Sequence, residues 1–433
     1  MLPPGPRFAP LQTYRYVTRP ADYLAELRVR YGDVVLMPSL NGPVAIVFTP
    51  ELAKTVFSTP PDHYDPFGTD AIGPLVGAAS LFTTSGAAHR RGRKLLSPPF
   101  NGARMRAYGG AIQDVAAGVL SKVHAGDDIR VLDLTTEISV EIILRTVFGV
   151  ADERSVTRGR QLLTGVLDSL SPALFFTKRL QTPLFPPYRR FRRAFRAYND
   201  FVADTLVDRR RGDGAGEDVL SLLLGARDEE GNGLADAEIQ SHLLTLLVAG
   251  HETTSIVLAW AIHELMSHPD ALAALREEVA GLGPDPSPEA LTNLPYIDAV
   301  VKETQRRRTI VTDVIRKLVK PLEIGGFRIP PGLGVAVGVV AIHNDPDLFP
   351  EPHQFRPERF LNGGHGPSEH MPFGGGHRRC IGAAFSDYES RIVLATLMPS
   401  LDLEPRGPVE VPVRRNVTMG PKFGVRAWVA AKR

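Results

Sequence analysis

The stretch HMPFGGGHRRCIGAAF, residues 370–385, holds the only cysteine of the 433-residue chain, Cys380. Three glycines and three basic residues precede it. With one cysteine the chain forms no internal disulfide. Tetrathiolate zinc and iron–sulfur sites need several thiolates, so they are excluded as well. The rest of the composition is that of an ordinary globular protein, 43% hydrophobic and 23% charged. A formal net charge of +2 argues against a dedicated nucleic-acid binder. The first ten residues, MLPPGPRFAP, contain no apolar core of a signal peptide. The most apolar stretch, HLLTLLVAGHETTSIVLAWAIHELM, is interrupted by His251 and Glu252 before it reaches the ~20 residues of a membrane span. The expectation is a soluble, cytoplasmic protein without a membrane anchor.

Working outward from the cysteine, residues 51–280 carry mostly helical patterning, with breaks at GDGAGED and GLGPDPSPEA. DVVLMPSLNGPVAIVF reads as a hairpin turning at Asn41-Gly42. EIGGFRIPPGLGVAVGVVAIHND reads as short strands, a Pro-rich meander runs to about Asn362, and the tail VTMGPKFGVRAWVAA returns to strand character. A last helix begins beyond Cys380. No linker divides the chain, so the sequence predicts one large domain over 1–433, mainly α with small β-sheets.

Several roles suit a lone thiol. As a nucleophile it would want a base and a helix N-terminus, and His377 and the following helix offer both, yet the usual flanking signatures of catalytic thiols are absent. The glycine run superficially suggests a phosphate cradle but lacks its spacing. An inert buried cysteine is the commonest case, although so many glycines and cations are an odd setting for filler. A single axial thiolate on heme iron needs one cysteine only, with Arg and His nearby for the heme carboxylates.

The loop matches F-x-x-G-x-R-x-C-x-G at Phe373, Gly376, Arg378, Cys380 and Gly382. This resembles the cytochrome P-450 family of heme-thiolate monooxygenases, soluble bacterial type. Three further motifs follow in the expected places: E-x-x-R at Glu303 and Arg306, FRPERF with Arg359, and AGHETT from Ala249 to Thr254. The resemblance implies heme b (iron protoporphyrin IX) with Cys380 as axial iron ligand. It implies Phe373 against the ring, and His89, Arg93, Arg316 and Arg378 for the carboxylates. Ala249 and Gly250 would let the helix backbone pass close to O2, Thr253 would act on the oxygen being activated, and Glu252 would link it to solvent protons. Glu303, Arg306 and Arg359 would form a buried structural network rather than a catalytic one. His377 and Arg379 are expected on a solvated basic rim. Arg90, Arg91 and Lys94 would form either a solvated face or a docking patch for an acidic electron donor. The chain departs from the family pattern at Arg307-Arg308-Thr309, where an apolar residue and proline are usual. HETTS lacks the second histidine of a zinc-protease motif, which excludes that reading.

Segments that line the pocket in the family are largely apolar here: Ile72, Leu75, Val76, Leu170, Leu174, Phe175, Val311, Thr312 and Met419, with Asp313 the acidic exception, either a substrate contact or part of the carboxylate network. Apolar walls suit a fatty acid, terpenoid or steroid-like substrate; core packing explains any one of them equally well. Electrons would come from a separate ferredoxin or flavodoxin with its reductase, since no such domain is recognisable in the chain. A non-catalytic heme-thiolate sensor has no need of the Glu252-Thr253 pair, and in peroxide-driven peroxygenases that pair is replaced. A thiol hydrolase is the remaining alternative.

Overall fold

The computed structural model describes residues 1–150, 152–170, 174, 178–211, 216–361 and 363–433. Helices dominate, and one stands at their centre: Asp236–Ser267, 32 residues long. At 1.5 Å per residue it spans about 48 Å. It starts where Glu238 accepts a hydrogen bond from the Ala235 N–H (2.9 Å) and stops before Pro269. Its apolar residues point in nearly all directions and are buried on nearly all sides. That is how a core helix reads when other helices surround it. Among the described residues it is the one helix long and apolar enough to cross a membrane, and 67% of that stretch is buried in protein. It packs on helices Val131–Thr146 and Ala383–Leu397, the latter beginning just beyond Cys380.

The strands form small sheets at the edge of this helical mass. The largest runs Val34–Met37, Val44–Val47, Gly334–Val337, Val314–Leu318, Tyr64–Pro66 in spatial order. The first two strands are the expected hairpin, antiparallel with Val34 opposite Val47, and Gly42 takes φ 107° in its loop. The tail pairs Arg426–Lys432 with Leu401–Pro405 and Asp128–Arg130. One expectation fails: Val339–His343, read as strand, is a short helix. Gly338 precedes it, and a side chain there would sit 2.8 Å from the Phe48 ring, so the chain turns instead of extending the strand.

Glu303 and Arg306 are both fully buried, and their pairing locks helix Pro295–Arg307 to the meander. Arg306 donates from Nε to Glu303 Oε2 (2.7 Å) and from Nη2 to Oε1 (2.8 Å). Its remaining N–H groups reach the carbonyls of His343 (2.8 Å) and Pro352 (2.8 Å). Glu303 Oε1 also accepts from Arg359 Nε (3.1 Å) and the Arg356 N–H (3.0 Å). Arg359 extends the network to the Pro350 carbonyl (2.9 Å). Every polar atom of the pair is satisfied, as a buried ion pair requires.

The three residues that break the family pattern are accommodated. Arg307 and Arg308 both hold the buried Glu264 of the central helix, Arg308 Nε at 2.6 Å. Arg308 also lies 4.2 Å above the Trp260 ring. Thr309 Oγ1 donates to the Arg306 carbonyl at 2.7 Å and ends the helix. Glu303→Ala strands a guanidinium with no water nearby, a loss of about 3–5 kcal/mol. Thermal unfolding of the variant is expected well below that of the parent. Coincident melting curves would show that the pair is dispensable.

Candidate functional site

The loop before Cys380 exists because its glycines permit it. Gly374 and Gly376 take φ of 63° and 67°, a region that L side chains rarely adopt. A Cβ on Gly376 would lie 2.3 Å from the Phe57 carbonyl oxygen, and one on Gly375 would lie 2.4 Å from the Phe57 ring. The Cys380 N–H donates to the Phe373 carbonyl (3.0 Å), closing the loop. Cys380 itself is surrounded by protein yet keeps an exposed surface, so its sulfur faces an open interior space. Burial pushes the thiol pKa up; the Gly382 N–H and the cations of Arg379 and Arg93 pull the other way.

Cations gather beside the loop with little to balance them. His89 is buried, Arg316 is buried, and Arg93, His377 and Arg378 are partly buried. Burial first, then Arg378 and the other neighbouring cations, hold His89 near pKa 4. His377 is held near 4 by burial and Arg316. Even Arg316 is lowered to about 10, chiefly by burial. Arg378 donates to the carbonyls of Leu81 (3.2 Å) and Thr84 (2.7 Å), while its Nε is buried without a partner. Arg316 donates to the carbonyl of Gly375 (2.6 Å) and so braces the glycine run. The cluster borders a cleft of about 320 Å³ lined by His89, Arg90, Arg93, His377 and Arg378 among others. The chemistry called for is a buried dianion with a metal that takes a sulfur ligand. The glycine cradle, the open thiol and the orphaned Arg378 Nε fit iron protoporphyrin with its two carboxylates.

The central helix shows a narrow accessible stripe. Leu246, Ala249, Gly250 and Thr253 are partly exposed, while Leu243, Leu247, Thr254 and Val257 are buried. The spacing i, i+3, i+4, i+7 marks one helix face. Thr253 Oγ1 donates to the Ala249 carbonyl at 2.7 Å. Thr254 points away and meets Ser386 Oγ at 3.2 Å on the helix after Cys380. Glu252 turns toward the C-terminal hairpin, accepting from Thr418 Oγ1 (3.1 Å) and Asn416 Nδ2 (3.3 Å), with Arg415 Nε at 3.6 Å.

Other expectations change. Asp313 is buried and its Oδ1 accepts from Tyr16 Oη (2.7 Å) and Thr312 Oγ1 (2.9 Å). It anchors the N-terminal helix Ala9–Thr18 through Tyr16. Thr312 is therefore committed to Asp313. His377 is no solvated rim: it stacks on Tyr64 and meets His89 edge-on. Arg379 is exposed, as expected. Arg91 is taken up by Asp228 (2.7 Å) and Glu238 (2.9 Å), and Lys94 by Glu229 (2.5 Å), which leaves Arg90 alone of the proposed docking patch. Leu75, Val76 and Leu174 are buried in the main core, and Met419 is buried in its hairpin. Ile72, Leu170 and Val311 are partly accessible. Phe175 lies outside the described residues.

Sequence reasoning missed His343. Its Nε2 accepts the Met371 N–H (3.0 Å), so the proton sits on Nδ1 and faces Thr309 Oγ1 (2.9 Å). Burial keeps its pKa well below the usual value. The ring ties the start of the cysteine loop to the helix carrying Glu303 and Arg306. The only hint in AIHND is a histidine ending an apolar run. The hairpin grip on Glu252 was equally silent, since residues 252 and 415–418 meet only in three dimensions.

The family model for cytochrome P450 matches residues 1–424. The chain is 36% identical to the putative cytochrome P450 137 of Mycobacterium tuberculosis, over 98% of this chain and 89% of that one. It is 33% identical to the putative cytochrome P450 135B1 of Mycobacterium bovis, over 100% and 92%. The chain belongs to the cytochrome P450 family. Two solved structures share its fold, a cyanobacterial CYP120A1 with retinoic acid bound and the heme domain of cytochrome P450DA. Their TM-scores are 0.88 and 0.87, each at 24% identity; the first covers 99% of both chains, the second 100% of this one and 98% of that one. Membership makes the protein a monooxygenase that binds heme b. The glycine geometry gives a direct check on the cradle. Gly376→Ala is expected to lose heme incorporation, because both its φ and the Phe57 carbonyl oppose a side chain. Gly382→Ala, with nothing within 4 Å, is expected to load heme like the parent. Equal heme content in all three proteins would remove the cradle.

Proposed function

We propose that this P450 inserts one oxygen atom from O2 into a small apolar substrate, a fatty acid, terpenoid or steroid-like molecule. Electrons come from a separate ferredoxin or flavodoxin with its reductase. In this reading the protein is cytoplasmic, has no membrane anchor and binds no nucleic acid. The observation that carries the reaction is the partly accessible stripe Leu246, Ala249, Gly250, Thr253 on a helix that packs against the one following Cys380. Heme supplies the redox chemistry that activates O2 when bound. The residues of this chain then have separable tasks.

Cys380 would hold the heme iron through its thiolate, and the Gly382 N–H directed at the sulfur stabilises the charge. His89, Arg93, Arg316 and Arg378 would receive the heme carboxylates, which would offset the cation excess, and Phe373 would pack on the ring. The small residues at 249 and 250 leave room along the helix; a Cβ on Gly250 would have only Ile143 nearby, at 3.6 Å. Thr253 donates its hydroxyl proton to the Ala249 carbonyl, so its oxygen lone pairs are free to accept a hydrogen bond and hold a protonated group in place. Glu252 holds its carboxylate at the hairpin edge, 18% exposed, where it takes up protons from solvent. Arg415, Asn416 and Thr418 keep it there until it turns inward. Ile72, Leu170, Leu246, Ile310 and Val311 offer partly accessible apolar surface, which supports an apolar substrate. Arg90 and Arg379 are exposed near the cysteine loop and suit an acidic redox protein.

Thr253→Ala tests the assignment. The variant is expected to bind heme, CO and substrate nearly as the parent does, and to consume reducing equivalents. It should release several-fold more hydrogen peroxide and less hydroxylated product. Thr254→Ala, turned about 100° around the helix and bonded to Ser386, should stay well coupled. The assay is product and peroxide per electron pair with a competent ferredoxin system. Uncoupling in Thr254→Ala rather than Thr253→Ala would contradict the reading.

A further inference from the structure

Helix Pro186–Arg211 buries Phe191, Tyr198, Phe201, Val202 and Leu206 on one face. Its other face, through the first three turns, is arginine. Arg189, Arg192, Arg193 and Arg196 stand at i, i+3, i+4 and i+7, so they share one side of the helix. They line a cleft of about 410 Å³ together with Pro183, Ala197 and Asp200. Among the described residues no acidic partner pairs with any of the four. Several arginines elsewhere on the molecule are engaged: Arg91 by Asp228 and Glu238, Arg160 by Glu137 and Glu141, Arg276 by Asp402. The sequence explains the imbalance, because no acidic residue occurs between Asp168 and Asp200 while Lys178, Arg179 and five arginines do. Like charges three and four residues apart repel, so the arrangement works against the helix in the absence of an anion.

We propose that this cleft is a binding site for a group carrying two or more adjacent phosphates. A guanidinium presents a planar fork that matches phosphate oxygens in pairs. Arg189 and Arg196 are about 10 Å apart along the helix axis, a longer row than one phosphate can engage. The buried face of Phe191, Tyr198, Phe201, Val202 and Leu206 anchors the helix in the core, so the arginines are held outward without the ligand. Asp200 closes the C-terminal end of the row and limits the anionic length accepted. The same chemistry is available from a free polyphosphate ester or from a diphosphate lipid headgroup.

The test is calorimetric titration of the heme-loaded protein with inorganic tripolyphosphate and with orthophosphate, at low and high salt. Tripolyphosphate should bind one to one, at least tenfold tighter than orthophosphate, and weaken as salt rises. Arg192→Glu combined with Arg196→Glu should weaken it a further tenfold or more, with an unchanged CO spectrum. Arg328→Glu, on the distant hairpin Leu322–Ile329, should not. Sedimentation with cardiolipin vesicles separates the sources: arginine-dependent capture that tripolyphosphate reverses assigns the site to a lipid headgroup, and no capture assigns it to a free ligand. Failure of tripolyphosphate and cardiolipin alike to bind, equal affinity for orthophosphate, or binding that the double Glu variant retains would overturn the proposal.

Discussion

A carboxylate and a guanidinium, both without water, hold this molecule in one arrangement. Once Glu303 and Arg306 are buried, each polar atom must find a partner or strand a charge. The partners available are the carbonyls of His343 and Pro352, the Arg356 N–H and Arg359. Those groups belong to two stretches of chain outside the pair's own helix. Satisfying the pair therefore fixes the helix, the turn after the largest sheet and the meander relative to one another. His343 carries the constraint onward: its carbonyl serves Arg306, and its ring takes the Met371 N–H at the entrance to the cysteine loop. The loop thus inherits its position from an ion pair that it does not touch.

The site itself is left electrically unfinished. His89, Arg93, Arg316, His377 and Arg378 crowd one region, and burial first, then neighbouring cations, lowers every one of their pKa values. Supplying two carboxylates reverses that cost. The distal side is organised differently, with Thr253 bonded within its own helix and Glu252 held by a hairpin some 160 residues away in sequence. Glu252 and Thr253 are adjacent in the chain but point to different surroundings.

The sequence was most informative where chemistry is local. The E-x-x-R spacing carries its geometry within a few residues, and Glu303 pairs with Arg306 as that spacing predicts. Reading failed where partners come from elsewhere. Asp313 reads in the sequence as either a substrate contact or part of a carboxylate network, because its partner Tyr16, nearly 300 positions earlier, is invisible to a local pattern. Arg91 and Lys94 looked free because Asp228, Glu229 and Glu238 lie beyond any helix periodicity. His377 sits in a run of charges, yet rings from two other segments bury it. Apolar residues at 75, 76 and 174 satisfied both a pocket and a core, and burial assigned them to the core.

The central claim is that Cys380 is the heme ligand and that the loop exists to present its sulfur. The ferrous–CO spectrum of parent and Cys380→Ser proteins tests it most directly. A thiolate ligand gives a Soret band displaced strongly to the red; a serine hydroxyl stays protonated and donates little charge. The account predicts the displaced band in the parent and its loss, together with monooxygenation, in the variant. A displaced band that persists in Cys380→Ser would contradict it.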